Sequence, residues 1–543
     1  MRRTPRFAVG LAAASLLLAG CAATPAPGDD ENPQEVTKGF LAQTDTSLAA
    51  GGELSVYLDY DSVEVNGLDP QTAETSRSWM IMSLAHETLV DLDENFEPVP
   101  ALAESWEIVS PTEYVFTLRE DAMFSNGRAV TPDDVKGSID RLRELGGSWA
   151  GQIASVESVE VTGDREVTFT LSTPMTALLG ALAHVATAVL PIAEIESGEV
   201  DIAKDMVGAG PFIATSHVQD EAWTFEKNPD YFGADDVTLD SIDLKIVPDE
   251  ANRLAGIRDG SADYAYFNNP DALDLLAGTP EAAAVSQQNT DFFFLILNSQ
   301  NPDSPLHDPA VRLAINAIVD REQIAEIAFG GTAVPTGLTP FALPDACAAD
   351  DVPSAQITDD EIRQTIADAG LEGKTLRLIT WNSEVGPGAI AQVIQQQLAA
   401  FGITLEIEVV DGGIWGEALY GESEEPMADD LSITWYAGYG DASMVTNWWN
   451  TEVQTFSARY MGGSPEINEL ILRGAETPSG PERQEVFTDL CAAVDEISEG
   501  VPLVNRPGVI AYRTDAVSPT INTNEGYGDI LRFVTDFHMV GEK

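Results

Sequence analysis

From Asp291 onward, short apolar runs alternate with longer amphipathic segments, and that alternation limits the fold more than any other feature of the chain. Phe292–Asn298 (FFFLILN) is followed by a helical pattern over 309–329, a strand-like run Lys374–Thr380, a helical pattern Pro387–Phe401 and a further run Ile403–Val410. Strands spaced by helices predict α/β layering, with a parallel or mixed sheet covered by helices. A single core stops growing near about 250–300 residues, so the roughly 490 residues beyond the N-terminal region call for two or three domains. No internal repeat with a period of about 20–50 residues is visible.

The chain starts MRRTPRFAVGLAAASLLLAGC. Arg2, Arg3 and Arg6 precede an apolar stretch, Phe7–Gly20, that is too short for a membrane helix, which needs about 20 residues. This reads as an export signal over 1–20. Leu18-Ala19-Gly20-Cys21 resembles a bacterial lipobox, which implies lipidation of Cys21 and anchorage to the outer face of the cytoplasmic membrane. Residues 21–50 are polar, with Pro and Gly and no apolar periodicity, and read as a disordered tether. As a coil it would reach about 30 Å. No later run is long and apolar enough to span a bilayer.

The formal charge is −61, which argues against a nucleic-acid partner or an anionic membrane surface. Cys347 and Cys491 remain once Cys21 is set aside, and two cysteines in an exported chain favour a disulfide over two free thiols. The five histidines are scattered, and no Cys or His cluster has metal-ligand spacing, so neither a metal nor a cofactor is expected. Asp91-x-Asp93-x-Asn95 starts like a calcium loop but has Phe96 at the sixth position and Leu102 at the twelfth. No G-x-S-x-G, P-loop or G-x-G-x-x-G is present. A glycosidase pair cannot be tested by counting acids, so a secreted hydrolase stays as a rival reading.

Leu431–Asn450 (LSITWYAGYGDASMVTNWWN) carries five aromatic residues and one charge, Asp441. Two readings are open: a buried strand and packed helix, or an apolar wall for a flat or chain-like solute. Trp381 and Asn382, just past the Lys374–Thr380 strand, are further wall candidates, with packing at a strand end as the alternative.

Earlier in the chain, Glu53–Tyr60 alternates as a strand, and Thr131-Pro132-Asp133-Asp134 opens a helix running to about Leu145: a Thr cap, Pro in the first turn, acids at the positive dipole end. ALAESW at 101–106, Arg119-Glu120 with Phe124 and Asn126-Gly127, and Thr131–Val135 form a pattern. It continues through Gly208-Ala209-Gly210-Pro211-Phe212, Lys227–Phe232, Asp249–Asp263, Pro309–Arg312 and Ala317–Arg321. These ordered blocks resemble the bacterial extracellular solute-binding proteins of the oligopeptide, dipeptide and nickel type (family 5). With the lipobox and the later segments Lys374–Thr380, Pro387–Phe401, Ile403–Val410, Asp429–Trp435 and Ile497–Pro507, they cover most of residues 18–515.

The resemblance implies a two-lobed periplasmic-binding-protein (Venus-flytrap) fold with a subdomain inserted in lobe I. Lobe I is expected from 51–85, 208–288 and 513–543, the insertion from 86–207, and lobe II from 289–512. It implies a monomeric receptor, not an enzyme, that hands a peptide or peptide-like solute to the permease subunits of an ABC importer. A non-peptide solute such as an opine or oligosaccharide, or a sensory role, is the alternative. Peptide-binding relatives read W-x-(A/G)-D-x-x-(D/E)-P here, the first Asp pairing with the peptide amine. This chain has Trp435, Tyr436, Ala437, Gly438, Tyr439, Gly440 and Asp441, so glycine stands where that acid is expected. Trp435, Tyr436, Gly438, Tyr439, Asp441, Trp381 and Asn382 are the candidate ligand residues. Asp441 is either a contact or the N-cap of the next helix.

Overall fold

The computed structural model describes residues 39–541 except 63–66, 74, 147–148, 344, 348–351, 383, 422–424, 437, 454 and 527. The export signal, Cys21 and most of the tether lie outside the described residues.

Phe292–Leu297 is buried at all six positions. A strand apolar on both faces must be covered on both, which is why its alternation is absent. It pairs antiparallel with Leu431–Tyr436 and Gly500–Asn505. Thr375–Trp381 runs parallel to both Leu431–Tyr436 and Thr404–Val410, giving a mixed five-stranded sheet. Helices Pro309–Ile318, Arg321–Phe329 and Val385–Ala400 cover one face in a core with Phe293, Leu295 and Leu378. The helical pattern over 309–329 is thus two helices: Asp320 breaks it by capping the second, accepting from the Gln323 N–H at 3.0 Å.

The other lobe is built on an eight-stranded mixed sheet. Glu53–Leu58 runs parallel to Ser241–Ile246 and Tyr264–Phe267, and Gly508–Arg513 lies antiparallel between Tyr264–Phe267 and Ala282–Asn289. The chain therefore re-enters this sheet at Gly508, not at 513 as the lobe boundaries from the sequence have it. Gly508–Arg513 belongs to the first lobe because its apolar side chains, Val509, Ile510 and Ala511, close that core. Within the inserted stretch, Ala103–Ser110, Glu113–Leu118, Val156–Val161 and Glu166–Leu171 form a separate antiparallel sheet. Helix Pro132–Leu145 packs on it, with the capping box Thr131–Asp134 at its start.

The tether expected to reach residue 50 ends sooner. Phe40–Ala42 is a strand paired with Ile521–Asn522, and the Phe40 ring stands edge-on to Phe533 at 6.0 Å. Phe40 and Ala42 have partners there, while Leu41 faces solvent, and the segment is held as a strand.

The lobes are joined by two short crossovers, Thr290-Asp291 and Arg506-Pro507. They are tied together: the Arg506 N–H donates to the Asp291 carbonyl at 2.8 Å, and Asn289 Nδ2 to the Arg506 carbonyl at 2.9 Å.

Candidate ligand-binding site

Parallel strands in open α/β sheets present their carboxyl ends to ligands. Here both lobes turn those ends to one cleft. Asp59 and Asn268 follow strands of the first lobe, and Trp381 and Tyr436 end strands of the second.

The larger room of the cleft holds about 530 Å³. Tyr60, Arg77 and Tyr266 line it from the first lobe, and Trp381, Glu384 and Trp435 from the second, with Arg506 at the crossover. Arg506 donates from Nε to Glu384 Oε1 at 2.7 Å and sits 3.5 Å from Asp291 Oδ2. Its guanidinium lies 4.5 Å from the centroid of the Trp435 ring, a cation–π contact. Arg77 mirrors it, bonded to Asp59 at 2.7 Å and lying 4.0 Å from the Tyr266 ring centroid. Burial is the largest single effect on Asp59 and raises it, but the Arg77 charge and hydrogen bond, the Asn268 hydrogen bond and the Arg253 charge together outweigh burial and hold it below the usual carboxylate range. Asp291 goes the other way: full burial pushes it up to about 6 in spite of Arg506.

A second, smaller room holds about 180 Å³. Trp149 stacks on His184 with ring centroids 3.5 Å apart, and Tyr439 meets Trp149 edge-on at 4.7 Å. The inserted subdomain thus touches the second lobe, and a Cβ on Gly440 would stand 3.0 Å from Leu92 Cδ1. Glu87, Glu525 and Asp529 face this room. Burial, then Asp91, pushes Glu87 up to about 7, and burial, then Glu525, does the same for Asp529. Burial alone takes His184 well below the usual imidazole range.

The residues singled out from the sequence are spread over this geometry. Trp435 and Trp381 line the larger room, Trp381 tilted against Trp415 at 4.4 Å. Tyr439 walls the smaller one. Tyr436 turns into the core instead, its ring 4.2 Å from Phe294 and its hydroxyl 3.4 Å from that of Tyr460. Asn382 is exposed and contributes its N–H to the Val410 carbonyl. Asp441 caps helix Ala442–Thr446, accepting from the Ser443 N–H at 2.8 Å, and pairs with buried Arg483 at 2.6 Å. Gly438 gives its N–H to Asp291 Oδ1 at 3.0 Å, and a Cβ there would stand 1.9 Å from the Thr290 carbonyl oxygen. No side chain fits at 438. Cys347 and Cys491 are joined, with Cα atoms 6.2 Å apart, between the loop at 347 and helix Pro481–Ile497.

Sequence reasoning missed Arg77, Arg506, Asp291 and the acids of the smaller room. The signal open to it was charge abutting an apolar strand, as in Asp291 before FFFLIL and Arg506 after LVN. Among the described residues, no group of three or more His, Cys, Asp or Glu is arranged to hold a metal ion, and no helix is long and apolar enough to cross a membrane.

The model of the bacterial extracellular solute-binding proteins, family 5 Middle, matches residues 97–457. The chain is similar to the glutathione-binding protein GsiB of Salmonella typhi, 24% identical over 500 residues, covering 90% of this chain and 94% of that protein. Among solved structures it is similar to the PBP AgaA from A. tumefacien R10 in complex with agropinic acid. That match has TM-score 0.75 and 24% identity, covering 91% of this chain and 99% of that one. It is also similar to DppA from Helicobacter pylori in complex with peptide STSA, with TM-score 0.76, 21% identity and the same coverage. Two lobes, a cleft between sheet ends and a family model spanning well over half of the sequence lead to one conclusion: the chain belongs to the bacterial extracellular solute-binding proteins of family 5, transport receptors rather than enzymes.

Proposed function

We propose that this receptor closes on a peptide or peptide-like solute in the interlobe cleft and delivers it to the permease of an ABC importer. The observation that carries the reading is the cleft itself, walled by Tyr60 and Tyr266 on one side and Trp381 and Trp435 on the other. Aromatic walls bury apolar area, and the guanidinium and carboxylate groups between them orient a polar backbone. Relatives support the class, since GsiB is named for glutathione and DppA was solved with a tetrapeptide. Because the lobes are joined by two crossovers, ligand contacts with both would shift the population toward the closed form. One chain supplies both walls, so a monomer suffices.

Gly438 leaves its loop without the acid that peptide receptors use for the amine. Calorimetry with tri- to pentapeptides and their N-acetylated forms tests this. Binding of at least one peptide is expected, and its complete loss on acetylation would show an amine anchor elsewhere than at residue 438. Failure of every peptide, with binding of an opine or oligosaccharide, would replace the solute class.

Lipidation of Cys21 is proposed from the Leu18–Cys21 spacing. Wild type is expected in the detergent phase of a detergent-partition experiment and Cys21→Ser in the aqueous phase.

A further inference from the structure

We propose that the smaller room seats a cationic group of the solute, an ammonium or guanidinium, gripped by Glu525, Asp529 and Glu87 of the first lobe. This rests on the receptor reading above and names the chemistry of one end of the ligand.

Four carboxylates line this room, the three named and Asp91, against one guanidinium, Arg532. Arg532 bonds Glu525 Oε1 at 2.8 Å, and Glu525 Oε2 is buried with no hydrogen-bond partner, the residue being 2% exposed. His86 also lines the room, 3% exposed, and neither ring nitrogen has a partner. Buried polar atoms are nearly always satisfied, so the Glu525 carboxylate oxygen and the one acceptor nitrogen of neutral His86 each call for a donor that arrives from outside. An N–H-bearing cation supplies several donors at once. Burial also keeps His86 neutral, at about 4, so one ring nitrogen stays an acceptor.

The size agrees. A water takes about 30 Å³ of liquid, so 180 Å³ is a room for a short chain of heavy atoms with its charged head. Trp149 and Tyr439 are aromatic residues lining it, and aromatic rings attract organic cations. Steric exclusion of any side chain at Gly438 removes the acid from the second lobe's loop. The neighbouring residue Tyr439 opens onto acids of the other lobe instead. A cation held there touches the first lobe's carboxylates and the second lobe's Tyr439 together, which ties occupancy to closure.

The test uses the full chain and four tripeptides, Ala-Lys-Ala and Ala-Gln-Ala, each free and N-acetylated, with agmatine as a non-peptide cation. Calorimetry is expected to show the more cationic member of a pair binding about tenfold or more tightly. That preference should shrink to about threefold or less in Glu525→Gln and in Asp529→Asn. Preference surviving acetylation assigns the room to a side chain, and loss on acetylation assigns it to the amino terminus. Equal affinities within every pair, or a preference untouched by both variants, would overturn the proposal. If no tripeptide binds, the peptide reading fails, and agmatine decides: heat in wild type and none in the variants supports the room, and no heat in wild type overturns it. Calcium or magnesium binding that the same variants abolish overturns the organic cation. Circular dichroism checks folding, and Glu87→Gln replaces Glu525→Gln if freeing Arg532 unfolds the protein.

Discussion

Gly438 shows how much one residue can reveal without showing why. The absence of an acid is visible in the string WYAGYGD. Its cause is the Thr290 carbonyl, 148 positions away in sequence and 1.9 Å from where a Cβ would be. No local pattern carries such a contact. Gly438→Ala must displace the crossover at Thr290, so a stability loss of about 1–3 kcal/mol is expected, together with weaker binding. Urea denaturation and calorimetry read the two separately. Asp529 gives a pH prediction. Burial, then the Glu525 charge, pushes it up to about 7, with Arg532 and Arg77 opposing, whereas a free Asp lies near 3.9. The folded protein thus holds this proton more tightly than the unfolded chain. The stability it contributes is complete below about pH 4 and lost as pH rises through about 7. Asp529→Asn is expected to raise stability of the ligand-free protein at pH 8 by about 1–4 kcal/mol relative to wild type, and to change little at pH 4. Melting curves at the two pH values check it.

Elements were legible where their determinants are local. Thr131–Asp134 announces its helix through cap, proline and acids, and the helix runs Pro132–Leu145. Phe292–Leu297 announces a buried strand by having no polar face. Legibility ends where partners decide. The pairing of Phe40–Ala42 depends on Ile521–Asn522, and the helical stretch 309–329 divides because Asp320 finds the Gln323 N–H. Asp441 was open between two roles, and the structure shows the cap together with the Arg483 pair. Asp441→Ala is expected to cost about 1 kcal/mol for the cap, rising to about 3 kcal/mol as buried Arg483 keeps only Asp345 as a carboxylate partner, beside its bond to the Gly474 carbonyl. Solute affinity should stay within about threefold, which calorimetry checks. The Cys347–Cys491 bridge closes a loop of 144 residues. Intact mass should show no alkylated thiol without reductant, and reduction should lower stability by up to about 5 kcal/mol in the chain-entropy model.

The two-lobed architecture was legible because ordered blocks along most of the chain match a family pattern, and the alternation after Asp291 requires α/β layers independently. The return point was not, since strand Gly508–Arg513 reads the same whichever sheet takes it. Only its pairing with Tyr264–Phe267 and Ala282–Asn289 settles that. Closure is a property of the whole molecule. The hinge is two crossovers joined by the Arg506 N–H and the Asn289 side chain, which favours a rotation about one axis over independent bending. Small-angle scattering should show the radius of gyration fall on adding a bound solute, and Arg506→Ala should weaken that change. The first strand of the described chain gives the architecture a mechanical side. Phe40–Ala42 is clamped to Ile521–Asn522 within the lobe that holds both ends of the described chain, and the other lobe is a loop hung from the crossovers. A pull arriving from residues before Phe40 is borne in shear by that short pairing and by the sheet behind it. The hinge carries none of the load, so the grip on the solute should be indifferent to tension applied at that strand.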